Sequence, residues 1–469
     1  MSWPGARLSP RLTLGTHHGS WWGKPFVLPP AHVHTHRHVI GTSGMGKSKL
    51  LALMAVELIE QGVGVAVIDP HADLASDILA LLAARGFFDR PDAYERLWYI
   101  DFADPTRHLP FNVLNKRGAT SHQIAQELVE VCKRAWSALA DGAAPQFENI
   151  LLASTVVLVD NGLALTDLPR LLTDRDFRNG ALSHCADPLV VDFFRLRFDA
   201  WGRDTAANIE STLRRAFLLT FSPTLRFSLG QRENRLDFRA IMDTSRSVLF
   251  NLGGLDEATQ RFLGCLITVG FETASLSRAD LPELQRSRYH LVLDEFSQFS
   301  STTEESLARV LSLCRKYGLF LTLAHQTWSQ LSARLQGAMQ NTVEIAFHLG
   351  RSDAEWAAPR FGHFDPQAAK VVGTAAREYP VSVQETFETW TRQLEELSPR
   401  EAWVAVGKTV TRIRTRSFPA TTVPPDRLAA LCETYRRRLL VPHAAVGAVV
   451  SGPPSPIPVV PPRRIALDD

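Results

Sequence analysis

Residues 41–48 have the types and the spacing of a phosphate-binding loop. They satisfy G-x-x-x-x-G-K-[ST] at every fixed position and comprise Gly41, Thr42, Ser43, Gly44, Met45, Gly46, Lys47 and Ser48. Glycines allow the backbone to curl so that successive N–H groups point at one phosphate. Lys47 can then reach the β- and γ-phosphates, and the Ser48 hydroxyl can bind Mg²⁺. The segment predicts a site for ATP with Mg²⁺.

The flanks of this loop have the context that the motif needs. Apolar residues lead into it at 38–40, and strong helix formers follow it at 50–55. This is a strand, a loop and a helix in that order. The helix N-terminus adds partial positive charge where the phosphates bind.

A second element predicts the hydrolytic half of the site. The apolar run 289–293 ends in two adjacent carboxylates, Asp294 and Glu295. In phosphate-loop enzymes the Asp at this point supports Mg²⁺ and the Glu polarises the attacking water. A strand that ends in acids is a weak signal alone, but beside a phosphate loop it favours a motor-type ATPase over a kinase or a GTPase.

Two further side chains follow this element. Gln326 ends the next predicted strand, where it could touch both the γ-phosphate and the water; the alternative is a surface glutamine. Arg315 precedes that strand and could act across a subunit boundary as an arginine finger; the alternative is a solvated arginine. Asp69 ends the predicted strand 63–68 and could order Mg²⁺ or water, or cap the next helix.

Composition excludes several classes of protein. The 469 residues are 45% hydrophobic and 21% charged with a net charge of +2, which is typical of a globular protein and excludes a global polycation. The cysteines are odd in number, show no C-x-x-C spacing and indicate a reducing compartment: Cys132, Cys185, Cys265, Cys314 and Cys432. No secretory signal and no apolar run of membrane-spanning length are visible.

The order of predicted elements indicates an α/β fold with a mostly parallel, doubly wound sheet. The predicted strands are 35–40, 63–68, 97–101, 247–252, 289–293, 319–324 and 343–349, with a further pair at 403–407 and 410–416. Helical patterns interrupt the alternation at 121–140, 145–159, 165–172, 189–198 and 205–219. We therefore expect a core in two parts, at 35–118 and 231–440, with an all-α insertion at 119–230 between them and a last helix at 426–439. An irregular arm at 1–34 is expected before the core, and a Pro-rich disordered tail at 441–469 after it.

The ordered motifs resemble the FtsK/HerA superfamily of ring ATPases that pump DNA, most closely the type IV secretion coupling proteins. The resemblance covers residues 35–420 and rests on the phosphate loop, on Ile68-Asp69-Pro70-His71, Leu293-Asp294-Glu295-Phe296, Arg315-Lys316-Tyr317-Gly318 and Ala324-His325-Gln326, and on the later block from Asn341 to Glu355. It implies a RecA-like fold, a magnesium and water site at Asp294 and Glu295, a sensor at Gln326 and a trans finger at Arg315.

The same resemblance implies a hexameric ring that moves single- or double-stranded DNA, with secretion or mobile-element proteins as partners. Membrane coupling proteins carry N-terminal spans, and this chain shows none. We expect a cytoplasmic protein, or one held at the inner membrane by a partner. The alternatives are a nucleotide-gated switch or recruitment ATPase, and a non-motor enzyme such as a kinase.

Two polar patterns remain open. From residue 400 to residue 438 there are nine Lys or Arg against three Asp or Glu, including Arg412, Arg414 and Arg416 at strand spacing. This stripe could follow DNA phosphates, or it could be a solvated face. Histidines alternate from His32 to His38, which admits a metal site but agrees better with an irregular polar arm.

Overall fold

The computed structural model describes residues 10–116, 118–135, 145–204, 209–210, 212–214, 216–217, 221–362, 369–372, 377–419 and 423–443. The chain divides into two compact units. The first comprises Met1–Ala103, Val131–Leu139 and Asp237–Arg438, and the second comprises Asp104–Glu130, Ala140–Leu236 and Leu439–Asp469. Among the helices described, none is both long enough and apolar enough to cross a bilayer.

The strands, in chain order, are β1 Thr13–His17, β2 Pro25–Val27, β3 Arg37–Ile40, β4 Gly64–Asp69, β5 Leu97–Asp101, β6 Arg107–His108, β7 Ser247–Asn251, β8 Tyr289–Leu293, β9 Leu319–His325, β10 Val343–Ala346, β11 Ala369–Val372, β12 Arg377–Pro380, β13 Glu401–Val406, β14 Thr409–Thr415 and β15 Val441–Pro442. Eleven of them form one sheet in the order β2-β1-β14-β13-β10-β3-β9-β8-β4-β7-β5. The pairs β11–β12 and β15–β6 are separate.

The sheet is parallel from β10 through to β5. Every residue of β3, β4, β7, β8, β9 and β10 is buried, as expected for strands that helices cover on both faces. The seven apolar runs in the sequence all become strands of this parallel region. The predicted α/β class with a mostly parallel sheet is confirmed.

Four antiparallel strands extend one edge of the sheet and correct the expectation for residues 1–34. β14 and β13 form the predicted hairpin, but β1 and β2 then continue the sheet where an irregular arm was expected. The composition, rich in Pro, Gly, Trp and His, does not indicate these strands. They are stabilised instead by the pairing of β1 with β14 and by the burial of Leu14 and Phe26. Residues 1–9 of the predicted arm lie outside the described part.

The helices of the first unit follow the strands that they cover. They are Pro30–Val33, Lys47–Glu60, Asp73–Ala84, Ala93–Arg96, Phe238–Asp243, Glu257–Ser277, Ser297–Leu313, Ala333–Ala338, Arg351–Phe361, Val383–Glu395 and Pro425–Leu439. Local chemistry sets their ends. Asp256, for example, accepts the Thr259 N–H at 2.9 Å and so caps the helix Glu257–Ser277.

Helical elements dominate the second unit. Its α-helices are Pro145–Asp160, Leu168–Thr173, Arg175–Leu182, Pro188–Asp192 and Pro223–Leu229, and the helix Ser121–Ala135 begins within it. The regular elements described between 119 and 230 are all helical. We propose that this stretch is an inserted all-α domain. Most of the predicted helix 205–219, and the predicted tail from residue 444 onwards, lie outside the described residues.

Candidate nucleotide site

The phosphate loop joins β3 to the helix Lys47–Glu60. Gly44 and Gly46 have positive φ values of 78° and 106°, which a residue with a side chain adopts at a cost. Gly41 is required for a different reason, because a Cβ there would lie 2.6 Å from the Cβ of Phe347. The Thr42 N–H donates to the His348 carbonyl at 2.9 Å. The loop is therefore held against the chain that follows β10.

Lys47 is folded back into this loop. Its Nζ donates to the carbonyl oxygens of Gly41 at 2.6 Å and Thr42 at 3.0 Å, and the residue is buried. Burial lowers the pKa of Lys47, while the charges of Asp294 and Glu295 act to raise it. The ammonium group is thus enclosed by oxygen acceptors, and triphosphate oxygens would offer the same chemistry in the same cradle.

Asp294 meets the loop through Ser48. The Ser48 hydroxyl acts to lower the pKa of the buried Asp294 carboxylate, and this carboxylate accepts the Glu295 N–H at 3.0 Å. Burial raises the pKa of Asp294, with Asp69 and Glu295 adding to the rise. A hydroxyl and a carboxylate are oxygen ligands of the kind that Mg²⁺ prefers, so the donor set fits the predicted metal.

Glu295 lies directly after β8, and donors engage both of its carboxylate oxygens. Gln326 donates from Nε2 to Oε1 at 2.8 Å, and His71 Nε2 lies 2.8 Å from Oε2. Burial acts to raise the pKa of Glu295, but these hydrogen bonds outweigh it and lower the pKa. The two side chains named for water activation, Glu295 and Gln326, therefore touch each other.

The sheet register explains why these groups meet. Ile68 pairs with Leu293 between β4 and β8, and Leu293 pairs with Leu323 between β8 and β9. The carboxyl ends of the parallel strands consequently lie side by side, where ligands bind in open α/β sheets. β3, which leads into the phosphate loop, pairs with β9 on the other side.

Arg315 is not brought to this site. It is exposed on the turn Cys314–Tyr317, at the amino end of β9, whereas Gln326 follows the carboxyl end of the same strand. The seven residues of β9 span about 20 Å. Arg315 cannot therefore act on a nucleotide held by its own chain.

Two residues near the nucleotide site, His71 and Arg400, could not be assigned a role there from the sequence. His71 was part of a quoted motif, yet its contact with Glu295 depends on the register of β4 and β8. Arg400 lies next to the loop, with its N–H donating to the Met45 carbonyl at 3.0 Å. No local pattern could indicate Arg400, since it is about 350 residues away in the chain.

The contacts of Asp69 distinguish its two possible roles, which are ordering Mg²⁺ or water and capping the next helix. Its buried carboxylate accepts the N–H groups of His71 at 3.0 Å and Ala75 at 2.8 Å. These bonds close the turn after β4 and satisfy a donor in the first turn of the helix Asp73–Ala84. The arrangement favours the helix-capping role over a direct role with the metal.

The basic stripe is largely neutralised by partners in the same chain. Arg412 pairs with Glu401 at 2.8 Å and Arg416 pairs with Glu57 at 2.8 Å, while Arg414 is exposed. The arginines of the last helix pair with Glu433 or Glu95: these are Arg436, Arg437 and Arg438. The described structure thus favours the solvated-face interpretation for most of the stripe.

The alternating histidines do not form a metal site. His32 belongs to the helix Pro30–Val33 and His38 to β3, so the run does not share one strand face. Across the described ranges, no group of three or more His, Cys, Asp or Glu side chains could hold a metal ion. The five cysteines are free.

Comparison with known proteins confirms the resemblance. Residues 27–108 match the family model described as "Helicase HerA, central domain", and residues 288–364 match "TraM recognition site of TraD and TraG". No curated protein matches the chain in sequence.

Solved structures share the fold. The unbound bacterial conjugative coupling protein TrwBΔN70 is similar with a TM-score of 0.59 and 17% identity over 86% of this chain and 89% of that one. TrwB with ADP and Mg²⁺ is similar at 0.56 and 17% over 90% and 97%. VirB4 of Thermoanaerobacter pseudethanolicus is similar at 0.54 and 12% over 89% and 98%. The chain therefore shares the fold of conjugative coupling proteins, and its matched segments are similar to the HerA central domain and to the TraD and TraG family model.

Proposed function

We propose that this chain is an ATP-driven DNA translocase of the FtsK/HerA type that serves conjugative DNA transfer or the movement of another mobile element. One observation carries the proposal. The phosphate loop and the Asp294–Glu295 doublet lie about 250 residues apart in sequence, and yet the Ser48 hydroxyl acts to lower the pKa of Asp294, both carboxylates act to raise that of Lys47, and Gln326 donates to Glu295 at 2.8 Å. Solved TrwB structures contain the ATP analogue ADPNP and ADP with Mg²⁺, which supports the same ligands here.

We assign each group a part in hydrolysis. Lys47 and the loop N–H groups would bind the β- and γ-phosphates, and Ser48 and Asp294 would hold Mg²⁺. The metal would supply positive charge against the phosphate oxygens. Glu295 orients the attacking water and accepts its proton, and Gln326 fixes that carboxylate. We propose that Arg315 of a neighbouring subunit is the arginine finger, which supplies positive charge to the transition state.

The presence of the full water-activating set favours a motor over a switch. A switch needs ATP to bind, but it does not need Glu295 and Gln326 in contact.

The proposed partners follow from the same assignment. We propose a hexameric ring around DNA, and a TraM-like protein bound by the 288–364 region, in view of the name of the matching family model. Such a partner would hold the chain at the inner membrane.

DNA stimulation of the ATPase tests this proposal. We expect the turnover of the wild-type protein to rise several-fold with long DNA at low salt, and the stimulation to fall as salt increases, because DNA binding releases counterions. Single- and double-stranded DNA of graded length should be compared, with Lys47→Ala as the inactive control. A rate that is the same with and without every DNA would reject the motor and favour the recruitment switch.

A further inference from the structure

His71 touches the residue on which hydrolysis depends. Its Nε2 lies 2.8 Å from Glu295 Oε2, opposite the Gln326 amide, which is 2.8 Å from Oε1. A carboxylate oxygen can only accept a hydrogen bond, so His71 Nε2 carries the proton and donates it. The carboxylate of Glu295 is thereby held from both sides.

The chain fixes the backbone of His71 independently of this contact. Asp69 accepts the His71 N–H at 3.0 Å, and Gln260 Nε2 donates to the Pro70 carbonyl at 3.1 Å. The opposing loop passes so close that a Cβ on Gly253 would lie 3.0 Å from the His71 carbonyl carbon. Because the backbone is already fixed, the His71 side chain loses little conformational entropy when it donates its hydrogen bond in this direction.

Solvent still reaches the pair. The side chain of His71 is 48% exposed and that of Glu295 is 25% exposed. An ionised carboxylate has about four lone-pair sites, so two hydrogen bonds from protein donors leave room for a water molecule. His71 thus fixes the plane of the carboxylate without blocking it.

We propose that His71 is a positioning residue for Glu295, whose Nε2–H holds the carboxylate in the orientation that accepts a water proton. The inference rests on the proposed hydrolytic function. It adds a residue from the end of a third strand to the site. β4 contributes His71, β8 contributes Glu295 and β9 contributes Gln326. His71 acts through Glu295 and touches neither phosphate nor metal in this assignment.

Replacement of His71 separates positioning from binding. We expect His71→Ala to lower kcat about tenfold, the effect of losing one charge-assisted hydrogen bond, and to leave the KM for ATP unchanged. His71→Gln keeps an amide N–H where Nε2 lies and should restore most of the rate. His71→Asn is too short to reach and should resemble alanine. His122→Ala is the matched control, since His122 makes the same 2.8 Å contact to a carboxylate, Asp187, in the second unit.

The outcomes distinguish this inference from the proposed function. A His71→Ala protein with wild-type kcat, or with a KM that rises in step with the loss, would overturn the positioning role. Equal rates for the Gln and Asn variants would overturn it as well, and this comparison holds even where the alanine variant is poorly folded. If Glu295→Gln itself hydrolyses ATP normally, the proposed function fails; if only the His71 variants are normal, the inference alone fails.

Discussion

At the scale of single residues, the proposed hydrolysis depends on Glu295. Its φ of +43° is unusual for a residue with a side chain and costs about 1 kcal/mol or more. The surrounding turn maintains this conformation, in which the carboxylate meets Gln326 and His71. Hydrogen bonds to the carboxylate lower its pKa despite burial, so it is ionised near neutral pH and available to a water molecule.

Glu295→Gln tests that chemistry directly. The amide keeps the shape of the side chain but cannot accept a proton, so we expect turnover to fall at least about 100-fold while ATP binding persists. Nucleotide affinity and steady-state ATPase rate are the two measurements. Glu283→Gln, an exposed glutamate on the turn Glu283–Gln285, is the matched control. Normal turnover in Glu295→Gln would remove Glu295 from the mechanism.

At the scale of elements, neutral histidines are built into the central strands. Burial lowers the pKa of His36, just before β3, to about 3, and nearby arginines lower it further. Burial also lowers the pKa of His325 on β9 to about 4, against the smaller raising influence of the Thr327 carbonyl. His38 Nε2 lies 2.5 Å from His325 Nε2, and His325 Nδ1 lies 2.8 Å from the Thr327 carbonyl. That carbonyl requires a proton on Nδ1, so His325 Nε2 accepts from His38.

These histidines predict acid sensitivity with a definite sign. Their pKa values are lower in the folded chain than in the unfolded chain, where histidine titrates near 6.5. Below about pH 6.5 the unfolded state binds more protons, so the free energy of unfolding falls as pH falls, by up to about 1.4 kcal/mol per pH unit for each such histidine. Urea midpoints between about pH 7.5 and about pH 4.5 measure this slope.

One variant identifies the histidines as the source of the slope. His36 Nδ1 accepts the Leu321 N–H at 2.9 Å, so His36→Asn removes one titrating ring and should make the pH dependence shallower, whatever it does to the stability at neutral pH. Leu284→Gln changes an exposed side chain that does not titrate and should leave the slope as it was. A wild-type midpoint that stays constant down to about pH 4.5 would show that these rings do not control the acid limit.

At the scale of the whole molecule, Arg315 lies away from the other candidate site residues. Lys47, Asp294 and Glu295 lie at the carboxyl ends of the parallel strands, whereas Arg315 is exposed at the amino end of β9. A finger role for Arg315 therefore requires a second copy of the chain. This geometry agrees with the proposed ring, in which one subunit completes the site of the next.

Mixing of variants tests this assignment. Arg315→Ala should lower turnover about 1,000-fold, as for other arginine fingers, because it removes positive charge from the neighbouring site. Lys47→Ala should lose nucleotide binding. Each mutant alone is expected to be inactive, but mixed rings should regain activity at interfaces that combine an intact Lys47 with an intact Arg315.

The adjacent Lys316→Ala is the control, since Lys316 is also exposed on the turn Cys314–Tyr317. Mixed proteins without any gain in activity would argue against a trans finger. Solution mass, measured with and without ATP, would establish whether mixed rings form at all.

Local sequence was enough to predict the parts of this protein whose order arises from short-range chemistry. The phosphate loop from Gly41 to Ser48 needs glycines at fixed offsets, and the apolar runs that became β3, β4, β8 and β9 are continuous because both of their faces are buried. The carboxylates at the end of β8 follow from the same pattern. The α/β class and the nucleotide chemistry could therefore be inferred without coordinates.

Tertiary structure alone decided which residues meet. The register of β4 against β8 brings His71 to Glu295, and the pairing of β13 with β10 brings Arg400, just before β13, to Met45. Pairing with β14 orders β1 and β2, which the composition of residues 1–34 had concealed. The long-range ion pairs Arg416–Glu57 and Arg438–Glu95 likewise neutralise charges that looked free along the chain. Hydrogen bonds between distant segments depend on strand order and register, and these are properties of the folded chain as a whole.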